Sequence, residues 1–193
     1  DCKNALDQNN GDIEKSIEFL RKKGIAKANK KMERVAADGL VCIFEKENNF
    51  SMIEINSETD FVAKNKEFLN FAEEISELSL KNSGVLKNIL SANMKNNKTV
   101  ENSLVDLISK IGEKINLRRA AFIDSKDTFN FSYTHSSLKK NVGKLGVLLS
   151  IESNKQKNDV EELGKQIAMQ IAATAPLAID KDGLDENILK KEK

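Results

Sequence analysis

An α+β fold is predicted by three observations. Apolar residues alternate with polar ones in short runs, polar turns join those runs, and longer amphipathic segments follow at helical period. Short turns favour antiparallel hairpins, because parallel strands need a crossover of about a dozen residues or more. The order hairpin then helix occurs twice, over residues 39–80 and 129–174. That order predicts two related subdomains, each with a helix on one face of its hairpin.

Residues 1–24 read as two short helices. Cys2, Ala5 and Leu6 form an apolar edge on the first, and Asn9-Asn10-Gly11 breaks it. Asp12 is a good N-cap for the second, Ile13, Ile17 and Leu20 recur at helical spacing, and Gly24 suits its end. Two helices this short do not make a stable domain alone. Lys27, Lys30, Lys31 and Arg34, set among alanines, read as a helical or extended linker over 25–38. The period changes at Gly39. Leu40–Phe44 and Phe50–Ile55 read as a hairpin around the polar turn Glu45–Asn49, and a helix follows at 59–80. Further helices are predicted over 83–95 and 99–115, the latter with Leu104, Ile108, Ile111 and Ile115 on one face. Leu117–Ile123, Phe129–His135 and Val142–Glu152 read as strands, with Gly143 and Gly146 permitting close approach in the last. A helix over Asp159–Ala173 turns Val160, Leu163, Ile167, Ala168 and Ile171 inward and ends before Pro176.

The 193 residues suit one ordinary domain, or one with a small satellite. With 31 Lys and Arg against 30 Asp and Glu, charge nearly cancels, which argues against a general affinity for nucleic acid or anionic membrane. Cys2 and Cys42 lie far apart and His135 is the single histidine, so the ligands of a structural zinc site are missing. Two cysteines without a framework predict free thiols and a cytosolic setting. No apolar run approaches the roughly 20 residues that span a bilayer, and the start of the chain has no signal-peptide pattern. The chain begins inside a helical pattern and ends in one, Leu189–Lys193, so both ends read as cuts.

Catalytic motifs are not legible. His135 has no recognisable nucleophile or acid partner, and Val142-Gly143-Lys144-Leu145-Gly146 lacks the spacing of a phosphate loop. The stretch Ser57-Glu58-Thr59-Asp60-Phe61-Val62-Ala63-Lys64-Asn65 is the most informative. Ser57 at an N-cap with Asp60 three positions on reads as a capping box. On a helical wheel Phe61 falls within the arc of Phe68, Ala72 and Ile75, a core position by periodicity alone. The other reading makes Phe61 a probe aimed at a partner, while Lys64 and Lys66 read as a solvated face.

The chain resembles the elongation factor Ts family, the guanine-nucleotide exchange factors of elongation factor Tu. Four segments carry the resemblance. Asp1–Leu6 and Gly11–Gly24 are similar to the last two helices of that family's ubiquitin-associated-like domain. Arg34–Gly39 resembles the approach to its core, Thr59–Asn65 its most specific signature, and Ile167–Ala173 the helix of its second core subdomain.

The resemblance implies that the Asp60-Phe61 pair inserts beside the magnesium and phosphate site of elongation factor Tu, so that GDP leaves. Thr59, Asp60, Phe61 and Val62 are then the exchange wedge, with Lys64, Asn65, Met169 and Gln170 as further contact candidates. Gln170 stands where many members carry His, and Ser57 replaces a common Cys. The implied partner is elongation factor Tu, GDP-bound and nucleotide-free, with no direct nucleic acid, membrane, metal or cofactor, no bond-making chemistry, and homodimers of the longer protein. Against the family, the chain lacks a first helix and the C-terminal part. The expected division is 1–24 ubiquitin-associated-like, 25–38 linker, 39–120 first core subdomain, 121–180 second and incomplete, and 181–193 the start of a helical dimerisation hairpin. The alternative is a helical interaction module that binds a peptide or nascent chain, with the α+β part as its scaffold.

Overall fold

In the computed structural model, which describes residues 2–185, the chain opens with two helices, Cys2–Gln8 (α1) and Ile13–Lys31 (α2). Asp12 Oδ1 accepts the Lys15 N–H at 3.0 Å, the bond expected of an N-cap. Ser16 Oγ donates to the carbonyls of Ala5 at 3.1 Å and Asp12 at 2.6 Å, tying the two helices together. The expected stop at Gly24 is absent: α2 continues to Lys31. A Cβ at Gly24 would stand 3.0 Å from Ser109 Oγ, so this glycine serves a close helix crossing. Ala28, assigned to the linker by sequence, lies in the core.

Asp38–Lys46 (β1) and Asn49–Ser57 (β2) form the first hairpin. Glu47 and Asn48 both take positive φ, 52° and 63°, in its turn, the backbone a tight two-residue hairpin requires. The predicted helix at 59–80 is two helices, Asp60–Ala63 (α3) and Lys66–Lys81 (α4). The segment 83–95 contains only Leu86–Ser91 (α5). Val100–Ile111 (α6) starts at Thr99, whose side chain accepts the Asn102 N–H, and ends at Gly112 with φ 89°. Ile115, expected on that helix, instead begins the strand Ile115–Ile123 (β3).

Phe129–His135 (β4) forms as predicted, but the segment 142–152 divides. Val142–Gly143 (β5) pairs with β1, and Leu145–Ile151 (β6) pairs with β4. The chain therefore changes sheets at Lys144. All pairing is antiparallel, in a four-stranded sheet β3-β2-β1-β5 and a two-stranded sheet β4-β6. Lys157–Thr174 (α7) packs on β4 and β6. Leu163, expected inward, is 52% exposed. Gly164 takes the inward position, because a Cβ there would come within 2.4 Å of the Phe131 ring.

The main core lies between α4 and the first sheet, with Ile53, Ile55, Phe68, Ile75, Ile108 and Ile115 fully or almost fully buried. Burial of each side chain of this size contributes about 1.5–3 kcal/mol. In the segment 181–193, read as the start of a helical hairpin, Lys181–Gly183 forms a single 3-10 turn and Leu184 is extended, while 186–193 lie outside the described residues.

Candidate functional site

The expected wedge sits where β2 gives way to α3. Ser57 does not cap the helix: it ends β2, fully buried, and its hydroxyl donates to the Thr59 carbonyl at 2.9 Å. Thr59 is the N-cap in extended backbone, yet its side chain makes no capping bond. The Asp60 carboxylate pairs with Lys64 Nζ at 2.7 Å, one turn along, so the capping box is not formed. That hydrogen bond and the carboxylate's charge raise the pKa of the Lys64 ammonium.

Asn65 explains the position of Phe61. Its backbone is extended, and its side chain accepts from the N–H groups of Glu67 at 2.8 Å and Phe68 at 3.4 Å. A short polar side chain that satisfies a new helix start competes with continuation of the old one. The break removes Phe61 from the wheel that contains Phe68. Phe68 is 0% exposed and Phe61 is 78% exposed, so the core position read from periodicity is overturned. Val62 and Ala63, by contrast, are buried in the core cluster and fasten α3 from beneath. Among the four residues Thr59–Val62, the outward surface comes from Asp60 and above all Phe61.

A second loop holds the turn. Glu113 Oε2 accepts the Thr59 N–H at 3.0 Å, and Glu113 Oε1 accepts the Thr59 hydroxyl at 2.8 Å. In return Glu58 Oε1 accepts the Lys114 N–H, and Arg34 lies 3.4 Å from the Glu58 carboxylate. Chiefly through the Lys114 N–H, and also through Arg34, Glu58 is held below the usual carboxylate pKa. Lys114 Nζ donates to the carbonyls of Met32 at 2.7 Å and Arg34 at 2.8 Å, while Lys31 Nζ donates to the Gly112 carbonyl. The turn, the α6–β3 loop and the end of α2 are thereby linked. Sequence reasoning missed Glu113 and Lys114, since their partners lie more than fifty positions away.

Met169 and Gln170 occupy the outer side of α7, Met169 at 50% exposure. They belong to the other hairpin-and-helix layer from the wedge. His135 is exposed, with Nδ1 3.2 Å from the Tyr133 hydroxyl. A groove of about 590 Å³ over the first sheet is lined in part by Val41, Met52, Glu54, Arg119 and Lys144. Its charged groups are already paired, Arg119 with Glu54 and Lys144 with Asp38. Among the described residues, no group of three or more His, Cys, Asp or Glu could hold a metal ion, and no helix is long and apolar enough to cross a membrane. Both cysteines are free. Cys2 is exposed, and burial pushes the Cys42 thiol up to about 11.

Fold and site together define an α+β protein whose candidate site is a projecting turn on a braced scaffold. The family model described as elongation factor TS matches residues 58–193, beginning at this turn. Over 193 residues the chain is 43% identical to elongation factor Ts of Methylorubrum populi, and over 196 it is 41% identical to that of Maricaulis maris. It is 42% identical over 194 residues to elongation factor Ts of Bartonella quintana. All of this chain is covered in each case, against 63% of each relative. The chain belongs to the elongation factor Ts family.

Proposed function

We propose that this chain accelerates the release of GDP from elongation factor Tu, acting as an exchange factor without bond-making chemistry. Asp60 and Phe61 enter the nucleotide site near the magnesium ion and phosphates. Thr59 and Val62 set the base of the wedge, Lys64 and Asn65 flank it, and Met169 and Gln170 form a second contact. The partner is bound in its GDP-bound and nucleotide-free forms, in the cytoplasm, without nucleic acid or membrane. The longer protein forms homodimers. Within this reading the segments are 1–24, 25–38, 39–120, 121–180 and 181–193, although α2 crosses the first of those boundaries, β3 crosses the one at 120, and β5 within 121–180 pairs with β1 of the first sheet.

The observation that carries the reading is the 78% exposure of Phe61 on a turn whose own next residues are core. Leaving a Phe in water forgoes about 1.5–3 kcal/mol of burial, which a partner's pocket can recover. That amount equals about one to two powers of ten in a rate if realised wholly in the transition state. The rest of the acceleration must come from the wider interface, and by reciprocity bound GDP weakens that interface equally. Release of fluorescent GDP from elongation factor Tu tests the reading. Phe61→Ala is expected to slow release roughly ten- to hundred-fold while the melting temperature barely moves. Unchanged release by a well-folded Phe61→Ala chain rejects the wedge.

One observation favours the alternative module. Ile13 and Ile17 are 68% and 62% exposed on one side of α2, and Leu6 of α1 is 37% exposed. In that reading this face takes an amphipathic peptide. A chain with Ile13→Ser and Ile17→Ser that still binds nucleotide-free elongation factor Tu, but no longer retains unfolded peptides, would support it as an added activity.

A further inference from the structure

Thr59 is an unusual N-cap, because its hydroxyl does not accept from the helix it starts. A capping Thr normally takes the N–H two or three residues on. Here both Thr59 donors, N–H and hydroxyl, are committed to one carboxylate, that of Glu113, at 3.0 and 2.8 Å. Two bonds from one carboxylate fix both the backbone and χ1 of the residue that launches Asp60 and Phe61. Glu113 is itself well placed to hold still. It follows the left-handed C-cap Gly112 of α6 and precedes β3, and Leu107, Ile108 and Ile115 on either side are in the core. The reciprocal bond from the Lys114 N–H to Glu58 closes the clasp from the other direction.

Core packing alone does not aim the wedge. Val62 and Ala63 anchor the far half of α3, and Asn65 terminates it. The near half, which carries Phe61, is set at its start by the Ser57–Thr59 bond and the Glu113 clasp. The exposed Asp60–Lys64 pair and the Lys64 N–H to Phe61 carbonyl bond tie it only to its own next turn. We propose that Glu113 is a positioning residue for nucleotide exchange, acting through Thr59 to hold Phe61 in the orientation that enters the partner. This rests on the exchange reading above. Glu113 does not itself touch the nucleotide in this scheme, so removing it should lower the maximal rate of release and have little effect where Phe61 is already absent.

The test is a double-mutant cycle on the full chain, read as fluorescent GDP release from elongation factor Tu across a range of chain concentrations. Glu113→Ala is expected to lower the saturating rate about ten-fold, short of the roughly hundred-fold that a 1 Å misplacement can cost. The half-saturating concentration should change less than two-fold. Glu113→Gln can still accept one of the two Thr59 bonds and should fall between wild type and Glu113→Ala. Thr59→Val, which loses only the hydroxyl bond, should resemble Glu113→Gln and serves if Glu113→Ala fails to fold. In a Phe61→Ala chain, Glu113→Ala should slow release by less than two-fold, because interacting residues are non-additive. Full additivity, or a wild-type rate for Glu113→Ala and Thr59→Val alongside a slow Phe61→Ala, overturns the proposal and leaves the wedge intact. A wild-type rate for Phe61→Ala overturns both.

Discussion

The two hairpin-and-helix layers solve the same packing problem and end with different surfaces. In the first, β1 and β2 are followed by a helix that Asn65 interrupts after one turn, leaving α3 and α4 as separate helices. In the second, β4 and β6 are followed by α7, which runs 18 residues unbroken with Gly164 seated against Phe131. Interruption lifts a phenylalanine into solvent on a turn that must then be braced. Continuity leaves Met169 and Gln170 on the outer side of a helix, where the helix backbone already fixes their spacing and no brace is needed. The first arrangement suits penetration of a partner, the second a broad contact.

The sharpest way to break that contrast uses two phenylalanines seven positions apart. Phe68→Ala empties a fully buried site in the main core and should cost about 3–5 kcal/mol of unfolding free energy. Phe61→Ala should lie within about 0.5 kcal/mol of wild type, as exposed substitutions do. Urea unfolding of both variants gives the comparison. Equal losses would place Phe61 back in the core and dissolve the distinction between the two layers.

The second layer has its own test. Gly164→Ala puts a methyl group where the Phe131 ring now stands, at 2.4 Å. Overpacking of this kind costs about 1–3 kcal/mol, and the better helix propensity of alanine, about 1 kcal/mol, only partly offsets it. Expected is a lower urea midpoint, together with weakened protection of β4 and β6 amides in hydrogen exchange and unchanged protection of β1 and β2. A stabilised Gly164→Ala would mean that α7 stands off its hairpin, contrary to the close approach described here.

What the sequence reveals and what it hides follow from the range of the interactions concerned. The hairpin at 38–57 is legible because alternation is written residue by residue, and it needed only two residues of extension at most sites. Gly24 misleads because a glycine that ends a helix and one that admits a crossing helix are the same letter, and Ser109 is distant in sequence. Phe61 misleads because a helical wheel assumes an unbroken helix, and the Asn65 cap that breaks it acts through side-chain bonds over two and three residues. The division at Lys144 is hidden by two strands of the same apolar character belonging to different sheets. At the candidate site the resemblance pointed to Asp60 and Phe61, whereas the clasp of Glu113, Lys114, Glu58 and Arg34 exists only once the loops meet.

The smallest expected effect concerns that clasp. Glu58 is held below the ordinary carboxylate range, first by the Lys114 N–H and then by Arg34. A depressed carboxyl stabilises the folded state fully above its unfolded pKa, about 4.3, and that contribution fades as pH falls through the folded value. Glu58→Gln removes the charge but keeps an acceptor oxygen for Lys114. It should therefore be slightly less stable than wild type from about pH 5 to 8, on the scale of about 0–1 kcal/mol typical of exposed pairs. Other depressed carboxyls, Asp38 and Glu54 among them, are common to both chains and cancel in the difference. The gap between the two proteins should narrow below about pH 4 and close as Glu58 becomes protonated. A gap that is still undiminished at pH 3 would show that shape at position 58, and not the ionised carboxylate, ties the wedge turn to the α6–β3 loop.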